Sequence, residues 1–126
     1  FTGRYVLDRK PLPAIALTTD TSALTAIGND YSMEQIFVRQ LQALASPTDT
    51  FVAITTSGNS KNILRCLRWC RDNKIKSILL SGNEGGKAKD IADISLVVSS
   101  KVTARIQEAH ILIGHSLIEA IEEQIT

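Results

Sequence analysis

The chain has 126 residues, 44% of them apolar, and a formal net charge of +1. That length favours one domain around one core, and a charge so close to zero argues against a nucleic-acid or membrane surface. No run approaches the roughly 18 apolar residues that a membrane span needs.

Taken in order, FTGRY (residues 1–5) reads as the end of a helix with Gly3 near its C-cap. The chain opens on Phe1 without a methionine, and the expectation is that an N-terminal part precedes it. Pro11 and Pro13 keep residues 6–13 an extended loop. Residues 14–18, AIALT, fit a buried strand, and Thr21 or Ser22 can cap a short helix through Ile27. Gly28, Asn29 and Asp30 then break that helix. Ser32 with Gln35 fits a capping box for a helix to about Ala45, with Met33, Ile36, Phe37, Leu41 and Leu44 as its buried stripe.

Residues 51–60, FVAITTSGNS, organise the rest. A buried strand over 51–55 runs into a turn of hydroxyls, a glycine and an asparagine, and a helix from Ser60 to about Asn73 follows. At the carboxyl end of a parallel strand, such a turn offers hydroxyls, free N–H groups and the positive end of a helix dipole, which suits a phosphate. The plainer alternative is a strand–turn–helix joint with Ser60 as an ordinary N-cap. The following helix buries Ile63, Leu64, Leu67 and Cys70, with Trp69 packing at its edge. Cys66 and Cys70 lie four apart on it, a poor geometry for a disulfide and too few donors for zinc, so a reduced, cytoplasmic protein is the simple reading.

A third strand is expected over 76–80, a glycine-rich turn over 81–87, a short helix to Ile91 and a fourth strand over 94–98. From Thr103 to the end the pattern is one long helix whose centre, Ile111 to Ile121, is apolar on most faces, which points to a subunit interface. Strands alternating with helices give an α/β class with a parallel sheet. Polar turns fall after three of the strands, where such sheets hold ligands, and a small polar or phosphorylated ligand is expected there.

The segments FTGRY, PAIALTTD, TAIGNDY, ITTSGNS, SGNEGGKAKDIAD and ARIQEAHILIGH resemble, in order and spacing, the sugar isomerase (SIS) domain, and within it the bacterial phosphoheptose isomerases. The resemblance covers Phe1 to about Ile121. It implies a single SIS domain over 1–126, a three-layer α/β sandwich of flavodoxin-like or Rossmann-like type, with the family's N-terminal helices and first, central strand missing from this sequence. It also implies an aldose–ketose isomerase that interconverts sedoheptulose 7-phosphate and D-glycero-D-manno-heptose 7-phosphate through an enediol, in heptose supply for lipopolysaccharide. A homotetramer and a bound zinc ion belong to the same expectation.

Residue by residue, the resemblance assigns acid/base catalysis to His115, a catalytic place and a sugar contact to Gln107, the phosphate cradle to Thr55, Thr56, Ser57 and Ser60, and substrate contacts to Asn29, Asp30 and Arg4. Gln107 and His115 would be two of four zinc ligands. The family's catalytic glutamate and a metal-binding histidine would immediately precede Phe1, so residues 1–126 alone are expected to be inactive. Spacing alone would not pair Gln107 with His115: eight residues on a helix is about 12 Å of rise and about 80° of rotation. A lone histidine in an apolar helix is more often an interior residue, and His110, on a different face, is read as one. Gly85 and Gly86 are read as backbone geometry. The alternative function is a non-catalytic SIS protein that binds a sugar phosphate or a replication-initiator protein; an imidazole at position 115 favours the enzyme.

Overall fold

The computed structural model describes residues 1–125. Seven elements follow in chain order: α1 (Thr21–Asp30), α2 (Val38–Leu44), β1 (Thr50–Thr55), α3 (Lys61–Asp72), β2 (Lys76–Gly82), β3 (Ile94–Val98) and α4 (Thr103–Ile125). The three strands form one parallel sheet in the order β1-β2-β3. Thr55 pairs with Ser81 and Gly82 with Val98, so the carboxyl ends of the strands and the turns after them lie side by side.

One face of the sheet is covered by α3 and by the turn segment after β2. Ala53, Leu64, Leu67, Leu79 and Ala88 form its buried cluster. A second cluster, Val38, Leu41, Cys66, Cys70 and Ile75, packs α2 onto the far side of α3, with Leu17, Phe37 and Trp69 at its margin. Trp69 therefore packs, as its position on the stripe suggested. α4 lies on the opposite face, where a Cβ added to Gly82 would come within 2.3 Å of Ile106 Cδ1. Helices on both faces of a parallel sheet give the expected three-layer α/β arrangement. His110, four residues on from Ile106, is buried and donates Nε2–H to the Ser81 carbonyl at 3.1 Å, which makes it structural.

Several local expectations are corrected. Residues 14–18 are not a strand: Ile15 is 69% exposed, and the Leu17 carbonyl is taken by the Gln40 side chain instead of a neighbouring strand. An apolar run becomes a strand only where a neighbour supplies the ladder. The sheet has three strands rather than four. Residues 1–5 are irregular rather than helical, and the segment 87–91 is a set of turns. Gly28, Asn29 and Asp30 do not break α1 but form its last turn. Gly28 suits a close approach there, because an added Cβ would meet Met33 Sδ at 3.3 Å. The cap of α1 is Asp20, whose carboxylate accepts from the Ala23 N–H at 3.0 Å, rather than Thr21 or Ser22. The Ser32–Gln35 capping box does not form; residues 34–37 are a turn, and α2 starts at Val38 with no side-chain cap. Met33 and Leu44 are exposed, and Val38 takes their place in the core. The long helix is as expected through Ile125; Thr126 lies outside the described residues.

Candidate functional site

The turn between β1 and α3 is held by its backbone and by two glycines from another turn. Gly58 has φ +67°, donates its N–H to the Thr55 carbonyl, and accepts from the Ala88 N–H through its own carbonyl. A Cβ on Gly58 would lie 2.0 Å from the Gly85 carbonyl oxygen, and one on Gly86 would lie 2.6 Å from the Ser57 carbonyl oxygen. The two turns therefore meet backbone to backbone, where no side chain fits. Gly85 and Gly86 serve geometry, as expected. Asn59 stitches the pair further: its Oδ1 accepts from the Lys87 N–H at 3.1 Å, and its own N–H donates to Ser57 Oγ. Asn83 adds a hydrogen bond from its amide to the Thr56 carbonyl.

The expected cradle residues are thus brought together, with distinct roles. Thr55 is buried and shares a 2.9 Å hydrogen bond with Ser60 across the turn. Ser60 occupies the N-cap of α3 but makes no capping hydrogen bond with its side chain, so the plain-cap alternative does not describe it. Ser57 is exposed and Thr56 half-buried. A shallow cavity of about 440 Å³ opens here, lined by Ser57, Asn59, Asn83, Glu84, Gly86 and Lys101. Of the four expected cradle residues only Ser57 lines this cavity; Lys101 offers an anion a positive charge there, and Glu84 sets a negative one beside it. A larger hollow of about 670 Å³ beside α3 is lined by Glu34, Lys61, Arg65 and Trp69 among others, and contains none of the expected site residues.

Other expected site residues stand apart from the turn. Asn29 and Asp30 end α1, are exposed, and hydrogen-bond to each other at 2.9 Å. Arg4, Gln107 and His115 are exposed. Among the described residues, no hydrogen bond or ion pair ties any of these five to the Thr55–Ser60 turn. His115 does have a neighbour that its spacing could not announce: the Tyr5 ring, 5.7 Å between centroids and tilted by 35°. Among the described residues no group of three or more His, Cys, Asp or Glu side chains could hold a metal ion. Gln107 and His115 alone do not complete a zinc shell, and the remaining donors would have to come from elsewhere.

Two features at this end of the molecule were not anticipated. Glu122, near the end of α4, is 2% exposed and accepts the N–H groups of Tyr5, Val6 and Leu7, each at 3.1 Å. It also pairs with Arg9 Nε at 3.0 Å. Burial acts to raise its pKa, but the N–H groups of Leu7, Val6 and Tyr5 and the Arg9 charge outweigh that and hold it below the ordinary glutamate value. The only signal in the sequence was its position seven residues, two helical turns, after His115. Arg9 Nη1 in turn donates to the Phe1 carbonyl, which also accepts from the Leu12 N–H, so residues 1–12 are tied into a loop.

Comparisons with known proteins agree with this architecture. A family model described as the SIS domain matches residues 1–82. Relatives named phosphoheptose isomerase include one from Aliarcobacter butzleri, 52% identical over 125 residues, which are 99% of this chain and 66% of that protein. Another, from Aquifex aeolicus, is 52% identical over 98% of this chain and 64% of its own length. A solved phosphoheptose isomerase from Francisella tularensis superposes with a TM-score of 0.92 at 42% identity, over 97% of this chain and 66% of that one. A second, from Neisseria gonorrhoeae, gives a TM-score of 0.83 at 44% identity, over 85% of this chain and 61% of that one. The chain therefore spans about two thirds of the length of the relatives it matches.

Proposed function

The chain belongs to the SIS domain family, and from that premise we propose that the protein is a phosphoheptose isomerase, interconverting sedoheptulose 7-phosphate and D-glycero-D-manno-heptose 7-phosphate. The observation that carries this reading is the 52% identity across 125 residues, a match that runs through both the hydroxyl turn and α4. The Thr55–Ser60 turn would hold the substrate phosphate. An aldose–ketose shift needs a base at carbon and an acid serving the oxygens. His115 is the group we assign to the oxygens, since an imidazole can give and take a proton near neutral pH. Gln107, Asn29, Asp30 and Arg4 would contact the sugar hydroxyls. Zinc, if bound, would take Gln107 and His115 as two ligands and polarise a substrate oxygen; no step here depends on it. Ile111 and Leu112, 63% and 68% exposed on α4, support a homo-oligomer, which we take to be a tetramer, and no helix among the described residues is long and apolar enough to cross a membrane. We place the protein in the cytoplasm because its two cysteines are free thiols.

The test is an isomerase assay with sedoheptulose 7-phosphate on the full-length protein and its His115→Ala variant. Turnover by the parent and a loss of about 10²-fold or more in the variant is the expected result. No turnover by the folded parent, with the sugar phosphate still bound, would instead identify a binding module.

A further inference from the structure

We infer that Glu122 is a positioning residue for His115, acting through Tyr5; this rests on the acid/base role proposed for His115. Three observations join. Glu122 lies seven residues beyond His115 on α4, which places it on the same helix face, about 20° round and about 10.5 Å along. Its carboxylate is the anchor of the crossing segment, taking the N–H groups of three consecutive residues and the Arg9 guanidinium. The first of those three residues is Tyr5, whose ring lies against the His115 imidazole.

The chemistry of the anchor suits this task. A carboxylate that accepts four charge-assisted or backbone hydrogen bonds fixes both its own rotamer and the direction of the chain it holds. It is 2% exposed, so water does not compete for those N–H groups. His115, by contrast, is exposed on a helix surface. An imidazole in that setting samples several rotamers unless a neighbour restricts it, and Tyr5 is the ring in place to do so. Glu122 thus fixes the Tyr5 backbone, and the Tyr5 ring limits the imidazole. A glutamine at 122 would present an amide N–H₂ to a nest of N–H donors and an arginine, so it keeps the size and loses the grip.

The test uses the full-length protein with ¹³C-labelled histidine. The Tyr5 ring, 5.7 Å away, should displace the His115 ring-proton resonances, whereas the His110 ring, bonded to the Ser81 carbonyl, serves as an internal reference. In Glu122→Gln, and in Tyr5→Leu, the His115 resonances are expected to move to a common, averaged position while those of His110 stay. In the same Glu122→Gln sample kcat should fall about 10- to 100-fold with the sugar-phosphate KM within about twofold, because the cradle is untouched. Glu123→Gln, an exposed neighbour, should change neither. If Glu122→Gln does not fold, Arg9→Gln loosens the same anchor from its other end and is read in the same way. Unmoved His115 resonances in a folded variant overturn the inference, and so do moved resonances with unchanged kcat. A parent protein without isomerase activity refutes the proposed function, while the resonances still decide whether Glu122 sets the imidazole.

Discussion

The Thr55 hydroxyl lies 2.9 Å from the Ser60 hydroxyl, so the last residue of β1 and the N-cap of α3 close the turn between them. An N-cap serine that does not cap forgoes about 1 kcal/mol of helix stabilisation. The Ile63 N–H is taken by Asn62 Oδ1 and the Leu64 N–H by the Ser60 carbonyl, which leaves the N–H groups of Lys61 and Asn62 to meet an anion at that terminus.

Replacing both Ser57 and Ser60 with alanine removes two hydroxyls from the turn and leaves its glycine framework alone. The sugar-phosphate KM should rise at least about tenfold, which is about 1.4 kcal/mol of binding. The fold should survive, with a thermal midpoint within a few degrees of the parent. Steady-state kinetics and a thermal melt on the full-length protein check both halves; unchanged affinity would move the phosphate elsewhere.

Gly58 offers a sharper structural test. Its φ of +67° and the Gly85 carbonyl oxygen, 2.0 Å from an added Cβ, leave no room for alanine. Gly58→Ala should cost about 3 kcal/mol or more, because backbone rather than a side chain would have to give way. Gly3→Ala, where nothing lies within 4 Å, should be near neutral. Denaturant titration of the two variants measures the contrast.

These turns also mark how far the sequence was legible. The hydroxyl run and the glycine pair announced tight turns at the strand ends, because local chemistry sets backbone shape there. The stripe Leu64, Leu67 and Cys70 placed α3 correctly, since its burial repeats with the helical period. Residues 14–18 misled, because an apolar run cannot say whether a neighbouring strand exists. Glu122 was invisible for a related reason. In IEAIEEQI it looks like one of several solvated glutamates, and only a chain segment more than 110 residues away in sequence makes it a buried anchor.

The two thiols should be chemically silent. Burial pushes Cys66 up to about 12 and Cys70 up to about 11, and both are 0% exposed. A thiol reagent at pH 8 should label them only at the rate of unfolding. The folded-state values lie above the ordinary thiol value of 9.0, so their contribution to stability is complete below about pH 9 and declines as pH rises toward 11. Labelling kinetics at several denaturant concentrations, with a melt series from pH 8 to 11, read both effects.

Asp93 shows the opposite sign. Its carboxylate accepts from the Ser77 N–H at 2.8 Å and the Ser77 hydroxyl at 3.0 Å, and those two bonds, the backbone one foremost, hold its pKa below the usual aspartate value. The stability it supplies is present above about pH 4 and lost as pH falls through the lowered native value. Asp93→Ala should cost about 1–2 kcal/mol at pH 7, chiefly because the buried Ser77 loses its partner. The difference from the parent should shrink in acid, as paired melts at pH 7 and pH 3 would show.

The two turns of α4 between His115 and Glu122 act as a ruler. For the alignment of His115 with Glu122, what matters about residues 116–121 is how many of them there are, provided they stay helical. One residue added or removed would swing the carboxylate by about 100° and slide it by about 1.5 Å, away from the amides it holds. That stretch should therefore reject insertions and deletions of one residue, whatever else its side chains do.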